Sequence, residues 1–220
     1  MFRLLPSAWL LMVQLLILLM TFLSSTNASI YRFSVWGLGM ITLLIVGKVI
    51  KETVIFKVFG HLFIVGALFF SFLMIIGFDQ PYIQICSHIC EIGAYICAIY
   101  GLLRYMFADR YLTKDELFAA GAVFTLLAWT FAYAYNICQL IFPNSFINTV
   151  HAQSIQSWLD ILFFSFSLQS ATGLSNLTPV LPAVKALSIL QMFVGVMYLT
   201  IIVSRLVALH YISHLPKHKE

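Results

Sequence analysis

The stretch "SLQSATGLSNLTP", residues 167–179, is the most unusual part of this sequence. It contains no Lys, Arg, Asp or Glu, and its short polar side chains surround a single glycine, Gly173. Long apolar segments precede and follow it. An uncharged polar loop in such surroundings has to be interpreted from the environment that the rest of the chain occupies.

The composition is that of an integral membrane protein. Hydrophobic residues make up 62% of the 220 residues and charged residues only 9%, whereas a soluble domain contains about 25% charged residues. So few charges cannot cover a surface that faces water. The apolar runs are too long and continuous for the strands of a barrel, so we expect helices, which satisfy their own backbone hydrogen bonds in lipid. The net charge of +4 comes from basic residues near helix ends, and we expect no nucleic-acid partner.

The apolar runs predict six transmembrane helices. A hydrocarbon core of about 30 Å requires about 20 apolar residues per helix. The predicted spans are residues 6–23, 33–50, 54–78, 82–107, 117–142 and 183–211. The first run also matches the pattern of a secretory signal peptide, with Arg3 before it and "SSTNAS" after it. We interpret it as a retained span, because it is long for a signal peptide and the predicted topology uses it.

The basic residues predict the orientation of these spans. With the N-terminus inside, ten of the 12 Lys and Arg residues fall on the cytoplasmic side, and only Arg32 and Lys185 fall outside. Cytoplasmic loops of membrane proteins carry an excess of Lys and Arg. The pattern therefore predicts a multi-pass protein with both termini in the cytoplasm.

The apolar segment at residues 157–170 does not fit as a seventh span. It is too short, and counting it as a crossing would place Lys217 and Lys219 outside. A re-entrant helix that enters and returns on the outer side keeps the charge pattern. Non-helical backbone at membrane depth is tolerated only where it is buried in protein or lines a water-filled path. The loop that follows, residues 171–179, is therefore a candidate pore loop.

The sequence around this loop resembles an ion-channel superfamily. The stretch "LFFSFSLQSATGLSNLTP" followed by "KALSILQMFVGVMYLTIIVSRLVALH" resembles the pore region of two-transmembrane channels, and more narrowly that of short bacterial potassium channel family proteins. The preceding "LTKDELFAAGAVFTLLAWTFAYAY" is similar to the outer helix of that family. The resemblance covers about residues 104–212. It implies an all-α integral membrane fold with a re-entrant pore helix and loop between the last two of six helices, in a bacterial inner membrane.

The resemblance also implies a homotetramer and a division of the chain into parts. A potassium filter is a ring of backbone carbonyls from four loops, and this chain supplies one loop. We expect a four-helix scaffold at 1–110, a pore domain at 111–215 and a short cytoplasmic tail at 216–220. The parts of the pore domain are an outer helix, a pore helix at 157–170, a filter loop at 171–179 and an inner helix at 183–211.

The scaffold is not expected to sense voltage, and no ligand-binding domain is expected after the last helix. A voltage sensor needs repeated Arg residues through its fourth span. Here that span carries Arg104 at its cytoplasmic end, with Arg110 beyond it. After the last helix only "HYISHLPKHKE" remains, so gating by an attached cytoplasmic domain is not expected.

The resemblance assigns the filter positions to Ala171, Thr172, Gly173, Leu174 and Ser175. Ala171 lacks the hydroxyl of the usual Thr, Leu174 stands in place of Tyr, and Ser175 in place of a Gly whose conformation other residues resist. The following Asp is replaced by Asn176. The sequence thus predicts a filter by position, and leaves a potassium-selective, a less selective and a scarcely conducting pathway open. Trk-type potassium transporters are similar in their single-glycine loops, but they need four pore units in one chain.

Other residues are assigned supporting roles around the filter. Asp160 is expected to complement the dipole at the start of the pore helix. Gln169 and Ser170 are expected to brace the loop by hydrogen bonds, as filter-support residues together with Asn176. On the inner helix the resemblance points to Gly195 and Tyr198 as the gate or hinge, with close helix packing as the alternative role of the glycine.

Glu91 is the ionisable residue that needs an explanation, since it lies in the middle of a predicted span. A charge there marks a functional site by default, and the alternative is a carboxyl paired with a neighbouring helix. The four cysteines are interpreted as small apolar residues. No metal site or cofactor is expected, because on a helix Cys86 and Cys90 share a face that His88 does not.

The leading hypothesis is a homotetrameric channel that conducts monovalent cations, K⁺ first, in a lipid bilayer. The second is a non-conducting, channel-derived structural or regulatory subunit, which the altered filter motivates. The third, a membrane enzyme or haem protein, needs paired His residues or a Ser, His and Asp set at one membrane depth. The six histidines do not pair across helices at matched depths, and only His61 and His88 could face one another. This hypothesis ranks lowest, so no enzymatic activity or catalytic residue is expected.

Overall fold

The computed structural model describes residues 6–23, 54–78, 80–108, 114–149 and 153–213, and most of them are helical. The elements in chain order are α1 (Pro6–Leu23), α2 (Val54–Ile76), α3 (Pro81–Ala108), α4 (Lys114–Ile141), β1 (Phe146–Asn148), α5 (Trp158–Gln169), β2 (Leu177–Pro179) and α6 (Pro182–Ser213). The predicted span at 33–50 and the predicted tail at 216–220 lie outside the described residues.

The helices agree with the apolar runs of the sequence. The five predicted spans that fall on described residues are helical, and their ends lie within three residues of the predicted bounds. In the described part of the chain, four helices are long and apolar enough to cross a membrane: α2, α3, α4 and α6. Within the described residues α1 contributes a shorter apolar stretch, Ser7–Leu19, and α5 has only 12 residues. The chain is therefore a multi-pass integral membrane protein.

α4 is the central helix of the described part of the chain. It packs against α1, α3, α5 and α6. Small residues at such contacts let transmembrane helices approach closely. At Gly121, for example, an added Cβ would lie 3.0 Å from Leu11 Cδ2. Four alanines of α4 are fully buried: Ala119, Ala122, Ala128 and Ala132.

Glycines also set the contact between α2 and α3. A Cβ added to Gly93 would lie 2.7 Å from Cγ of the Phe63 ring, and one added to Gly66 would lie 2.9 Å from Cys90 Sγ. Cys90 is thus packed against a helix backbone as a small apolar side chain. All four cysteines are free thiols.

A short antiparallel sheet joins the two segments that flank α5. In it Ile147 of β1 lies opposite Thr178 of β2, and Val180 N donates to Ser145 O at 2.9 Å. From the sequence, residues 171–179 were predicted to be loop, so β2 was not predicted. A three-residue strand is too short to show the alternation of apolar and polar residues that marks a strand. The sheet ties the chain after α4 to the chain that leaves the candidate pore loop, so both ends of that loop are held.

Candidate functional site

The candidate site begins at the start of α5, which is capped by its own side chains. Ser157 is the N-cap, with extended backbone at φ −64° and ψ 154°. Asp160 N donates to Ser157 Oγ at 3.1 Å, and Ser157 Oγ donates to Asp160 Oδ2 at 2.7 Å. A Ser at the N-cap satisfies an otherwise unpaired helix N–H, and the carboxylate complements the positive end of the dipole. Asp160 therefore supports the start of α5, about 15 Å along the helix from its other end.

The other end of α5 turns directly into the candidate pore loop. Thr172 N donates to Ser167 O at 3.0 Å, and Ala171 N donates to Leu168 O at 3.1 Å. This pair of bonds is the Schellman motif, in which the residue after the C-cap is left-handed and usually glycine. Here that residue is Ala171, with φ +57°. The first predicted filter position is thus part of the helix termination.

The first half of the loop folds back onto one carbonyl group. Ser167 O accepts from Thr172 N, from Gly173 N at 3.2 Å and from Thr172 Oγ1 at 3.3 Å. Ser170 Oγ donates to Phe166 O at 2.8 Å and lies 3.1 Å from Thr172 Oγ1. Ser170 therefore closes the helix end. Its side chain is exposed and contacts the loop at Thr172 Oγ1, and its predicted role in bracing the filter stays a prediction.

Gly173 is required for its backbone conformation. Its φ is +66°, and no atom lies within 4 Å of the point where a Cβ would stand. Left-handed backbone is open to glycine and resisted by other residues. Leu174, the next residue, is 69% exposed in the single chain. The loop thus presents its backbone and short side chains away from the helices that hold it.

The second half of the loop is tied to the sheet. Leu177 N donates to Ser175 Oγ at 3.1 Å. Asn176 O accepts from Thr149 N at 3.2 Å and from Thr149 Oγ1 at 3.4 Å. Asn176 supports the loop through its backbone carbonyl, beside the point where β1 pairs with β2.

α6 lies directly against the end of α5. A Cβ added to Gly195 would lie 2.7 Å from Gln169 O and 3.1 Å from Gln169 Cα. Tyr198 donates its hydroxyl to Ala120 O on α4 at 2.6 Å. The observed contacts of Gly195 and Tyr198 are packing contacts that hold α6 against α5 and α4. Their role as a gate or hinge stays a prediction.

Behind α5 lies a buried polar cluster formed by Tyr135, Ser165, Gln169 and Gln191, of which only Gln169 was predicted from the sequence as a site residue. Gln169, which was predicted to brace the loop, is fully buried, and its Oε1 lies 3.3 Å from Gln191 Nε2. Gln191 also contacts Ser165 of α5 and Tyr135 of α4. The sequence contains a signal for this cluster, because Gln191 and Ser165 are polar residues in otherwise apolar helices. Polar side chains in such helices usually find partners on neighbouring helices.

A second group of polar residues forms a series of hydrogen bonds from α3 to the segment that precedes α5. Glu91 Oε2 lies 2.9 Å from His88 Nδ1, and Asn136 Nδ2 of α4 lies 2.8 Å from His88 Nε2. Gln139 Nε2 donates to Asn136 Oδ1 at 2.6 Å. Gln156 N, two residues before α5 begins, donates to Gln139 Oε1 at 2.9 Å. Because Asn136 can donate only to an unprotonated His88 Nε2, the geometry places a proton on Nδ1, facing Glu91.

This series of hydrogen bonds explains how Glu91 is accommodated in the middle of a predicted span. The Glu91 carboxyl is paired with His88 on its own helix, and His88 in turn reaches α4. The ring of Tyr133 connects the same group to α5, with its centroid 4.9 Å from that of His88 and 4.8 Å from that of Trp158. Among the described residues, no three His, Cys, Asp or Glu side chains are placed to hold a metal ion.

The comparison with protein families matches the part of the chain that contains this site. Residues 118–210 match a family model described as "Ion channel". That range contains most of α4 and α6, and all of β1, α5, the candidate pore loop and β2. Neither the comparison with curated proteins nor the comparison with solved structures found a match. Residues 118–210 of this multi-pass membrane protein are therefore similar to an ion channel family.

Proposed function

We propose that four copies of this chain form a channel for monovalent cations, K⁺ first, with residues 171–175 of each copy lining the pore. The observation that carries the proposal is an uncharged loop that starts at the C-terminus of a 12-residue helix held between α4 and α6. One loop cannot surround an ion, and a symmetric ring of loops requires several copies. The matched family range contains the loop and α5 in full and most of α4 and α6.

The electrostatics of the loop favour cations. The C-terminal end of a helix carries a partial negative charge, equivalent to about half an elementary charge, and the loop begins at that end of α5. No Lys or Arg occurs between residues 161 and 184 to oppose it. No Asp or Glu occurs there either, and divalent cations such as Ca²⁺ prefer carboxylate ligands. These features support a monovalent cation as the permeant ion.

The departures from the potassium filter limit how well K⁺ is separated from Na⁺. Gly173 keeps a left-handed conformation, but Ala171 occupies one at a cost and Ser175 replaces a second glycine. Selectivity in carbonyl-lined filters depends on the number and placement of coordinating oxygens. We therefore expect K⁺ to pass with weaker discrimination against Na⁺ than a four-fold Thr-Val-Gly-Tyr-Gly ring provides.

The proposed arrangement has six spans per copy, both termini in the cytoplasm and α5 entering from the outer side of a bacterial inner membrane. The distribution of Lys and Arg supports this orientation. At about 18 Å in length α5 is too short to cross a hydrocarbon core of about 30 Å. A non-conducting structural subunit is the alternative that the altered loop motivated, and the match to an ion channel family does not favour it. The same match suggests a role other than that of an enzyme.

The test is ion flux into proteoliposomes that contain the purified protein, with K⁺, Na⁺ and Cs⁺ compared. Gly173→Asp adds a carboxylate to the loop at φ +66°, a region that Asp tolerates better than most residues. Gly77→Asp is the matched control, because Gly77 also has a positive φ, +108°, with nothing within 4 Å, and it lies between α2 and α3. We expect flux in the wild type and in Gly77→Asp, and its loss in Gly173→Asp. Absence of flux for every ion in a folded tetramer would refute the proposal.

A further inference from the structure

Gln191 is a buried amide that joins three helices behind the loop. It is fully buried in α6. Its Nε2 lies 2.7 Å from Ser165 Oγ and 3.0 Å from Ser165 O, both on α5. Its Oε1 accepts from the Tyr135 hydroxyl of α4 at 2.8 Å. Because a buried amide without partners is costly, these contacts fix the side chain and the helices it touches in one arrangement.

The contacts of Gln191 fall on the last turns of α5. Ser165 and Gln169 are four residues apart, so they share one face of the helix. Gln191 Nε2 reaches both of them, with Gln169 Oε1 at 3.3 Å. Ser165 Oγ also donates to Ala128 O of α4 at 2.6 Å. The end of α5 is therefore tied on one side to α6 and on the other to α4.

The same face of α6 makes a second contact with this helix end. Gly195 lies one turn after Gln191 on that face, and its Cα is packed against the backbone of Gln169. A hydrogen-bonded amide and a close backbone contact, one turn apart, determine both the rotation of α5 and its height along α6. A single apolar contact would leave α5 free to rotate or to slide along α6.

The position of α5 is transmitted to the loop through one carbonyl. Ser167 O, between the two residues that Gln191 contacts, accepts the N–H groups of Thr172 and Gly173. A shift or rotation of the end of α5 therefore carries these two loop residues with it. The loop has no comparable hydrogen bond to α6 of its own among the described residues.

We propose that Gln191 is the positioning residue of the pore loop: its carboxamide sets the placement of the end of α5, and through Ser167 O it sets the ion selectivity of the loop. The proposal rests on the channel function proposed above. It assigns to α6 a polar contribution to selectivity from a residue that does not belong to the loop. Tyr135 acts with it, since its hydroxyl holds the amide in the required orientation.

The test uses two variants and one matched control in the full-length protein. Gln191→Met keeps the length of the side chain and removes its hydrogen bonds, and Tyr135→Phe removes one bond with less risk to folding. Gln14→Met is the control, because Gln14 is a fully buried amide on α1 that has no hydrogen-bond partner among the described residues. The readouts are the amide hydrogen exchange of residues 167–176 and the reversal potential in a K⁺/Na⁺ gradient, which is independent of the number of active channels.

We expect exchange at Thr172 and Gly173 to become about fivefold faster in Gln191→Met, the change that the loss of one buried hydrogen bond corresponds to. The reversal potential is expected to shift toward equal permeability in Gln191→Met, and by less in Tyr135→Phe. Both readouts should stay at the wild-type value in Gln14→Met. This set of results would support the proposal.

Three results would overturn it. The first is unchanged loop exchange in both variants. The second is a lower thermal stability with an unchanged reversal potential, which is the signature of a purely structural role. The third is faster exchange in the Gln14→Met control as well. If the wild type passes no ions, the channel function fails, and the exchange measurement still decides whether Gln191 positions the loop.

Discussion

Replacement of Ala171 by glycine is expected to stabilise the protein, although it removes a methyl group from a predicted filter position. Ala171 has φ +57° and is the left-handed residue of the helix termination at the end of α5. A residue with a Cβ pays about 1–2 kcal/mol for this conformation, whereas glycine adopts it freely. Ala171 is exposed in the single chain, so few packing contacts are lost with the methyl group.

The net effect is smaller than the strain, because glycine also gains freedom in the unfolded chain. That entropic term is about 0.4–1 kcal/mol, which leaves a gain between about 0 and 1.6 kcal/mol per chain, with a central value of about 0.8 kcal/mol. For a domain of 150–250 residues, 1 kcal/mol corresponds to a rise in melting temperature of about 2–4 °C. The assay is thermal unfolding of the purified protein in detergent, followed by circular dichroism.

Ser170→Gly is the matched control for this experiment. Ser170 is the neighbouring residue, but its φ is −86°, and its Oγ donates to Phe166 O. Glycine there gains no conformational relief and loses a hydrogen bond, so we expect the melting temperature to fall. If Ala171→Gly lowers the melting temperature as much as Ser170→Gly does, Ala171 is not left-handed in the folded protein and the reasoning is wrong.

Two further substitutions test other contacts of the site. Gly195→Ala places a Cβ 2.7 Å from Gln169 O. Such overpacking costs about 1–3 kcal/mol, so we expect a lower melting temperature and altered flux. The control is Gly77→Ala, which is strained by the φ of +108° but lies between α2 and α3, so it should lower the melting temperature and leave flux unaltered. Ser157→Ala removes the N-cap of α5 and should cost about 1 kcal/mol in unfolding free energy; an unchanged melting temperature would show that the sheet and α4 alone hold the start of this helix.

The series of hydrogen bonds from Glu91 to Gln156 connects α3 to the start of α5. It begins on α3, passes through Asn136 and Gln139 on α4 and ends at the backbone that leads into α5. In an apolar environment each of these groups needs a partner. The entry of α5 is therefore placed by α3 and α4, whereas its exit is placed by α4 and α6.

Much of this architecture could be predicted from local features of the sequence. Hydropathy located the helices to within three residues of their observed bounds, because in lipid each apolar run satisfies its backbone within itself. The loop after α5 followed from the short length of the preceding apolar segment. Gly173 is left-handed, and glycine is the one residue type that adopts this conformation freely.

Other features depended on contacts between distant parts of the chain. Gln191 is separated by 56 residues from Tyr135 and by 26 from Ser165, and β1 is separated from β2 by the whole of α5. Their pairing depends on the rotation and height of each helix in the bundle. Because these helices are apolar on all faces, hydropathy gives no signal for the rotation or the height of a helix. The sequence therefore predicted the helices and the loop, but not how they pack.

The tertiary structure decided which residues hold that loop. Ala171 was assigned to the filter from its position in the sequence. Its left-handed backbone is part of the helix termination, in which Ala171 N donates to Leu168 O and Thr172 N donates to Ser167 O. The close packing of Gly195 against the backbone of Gln169 was seen only in the structure, and its role as a hinge stays a prediction. The physical reason is the same in both cases: local sequence determines where a helix can form, but the partners of buried polar groups and close backbone contacts exist only once the helices have packed together.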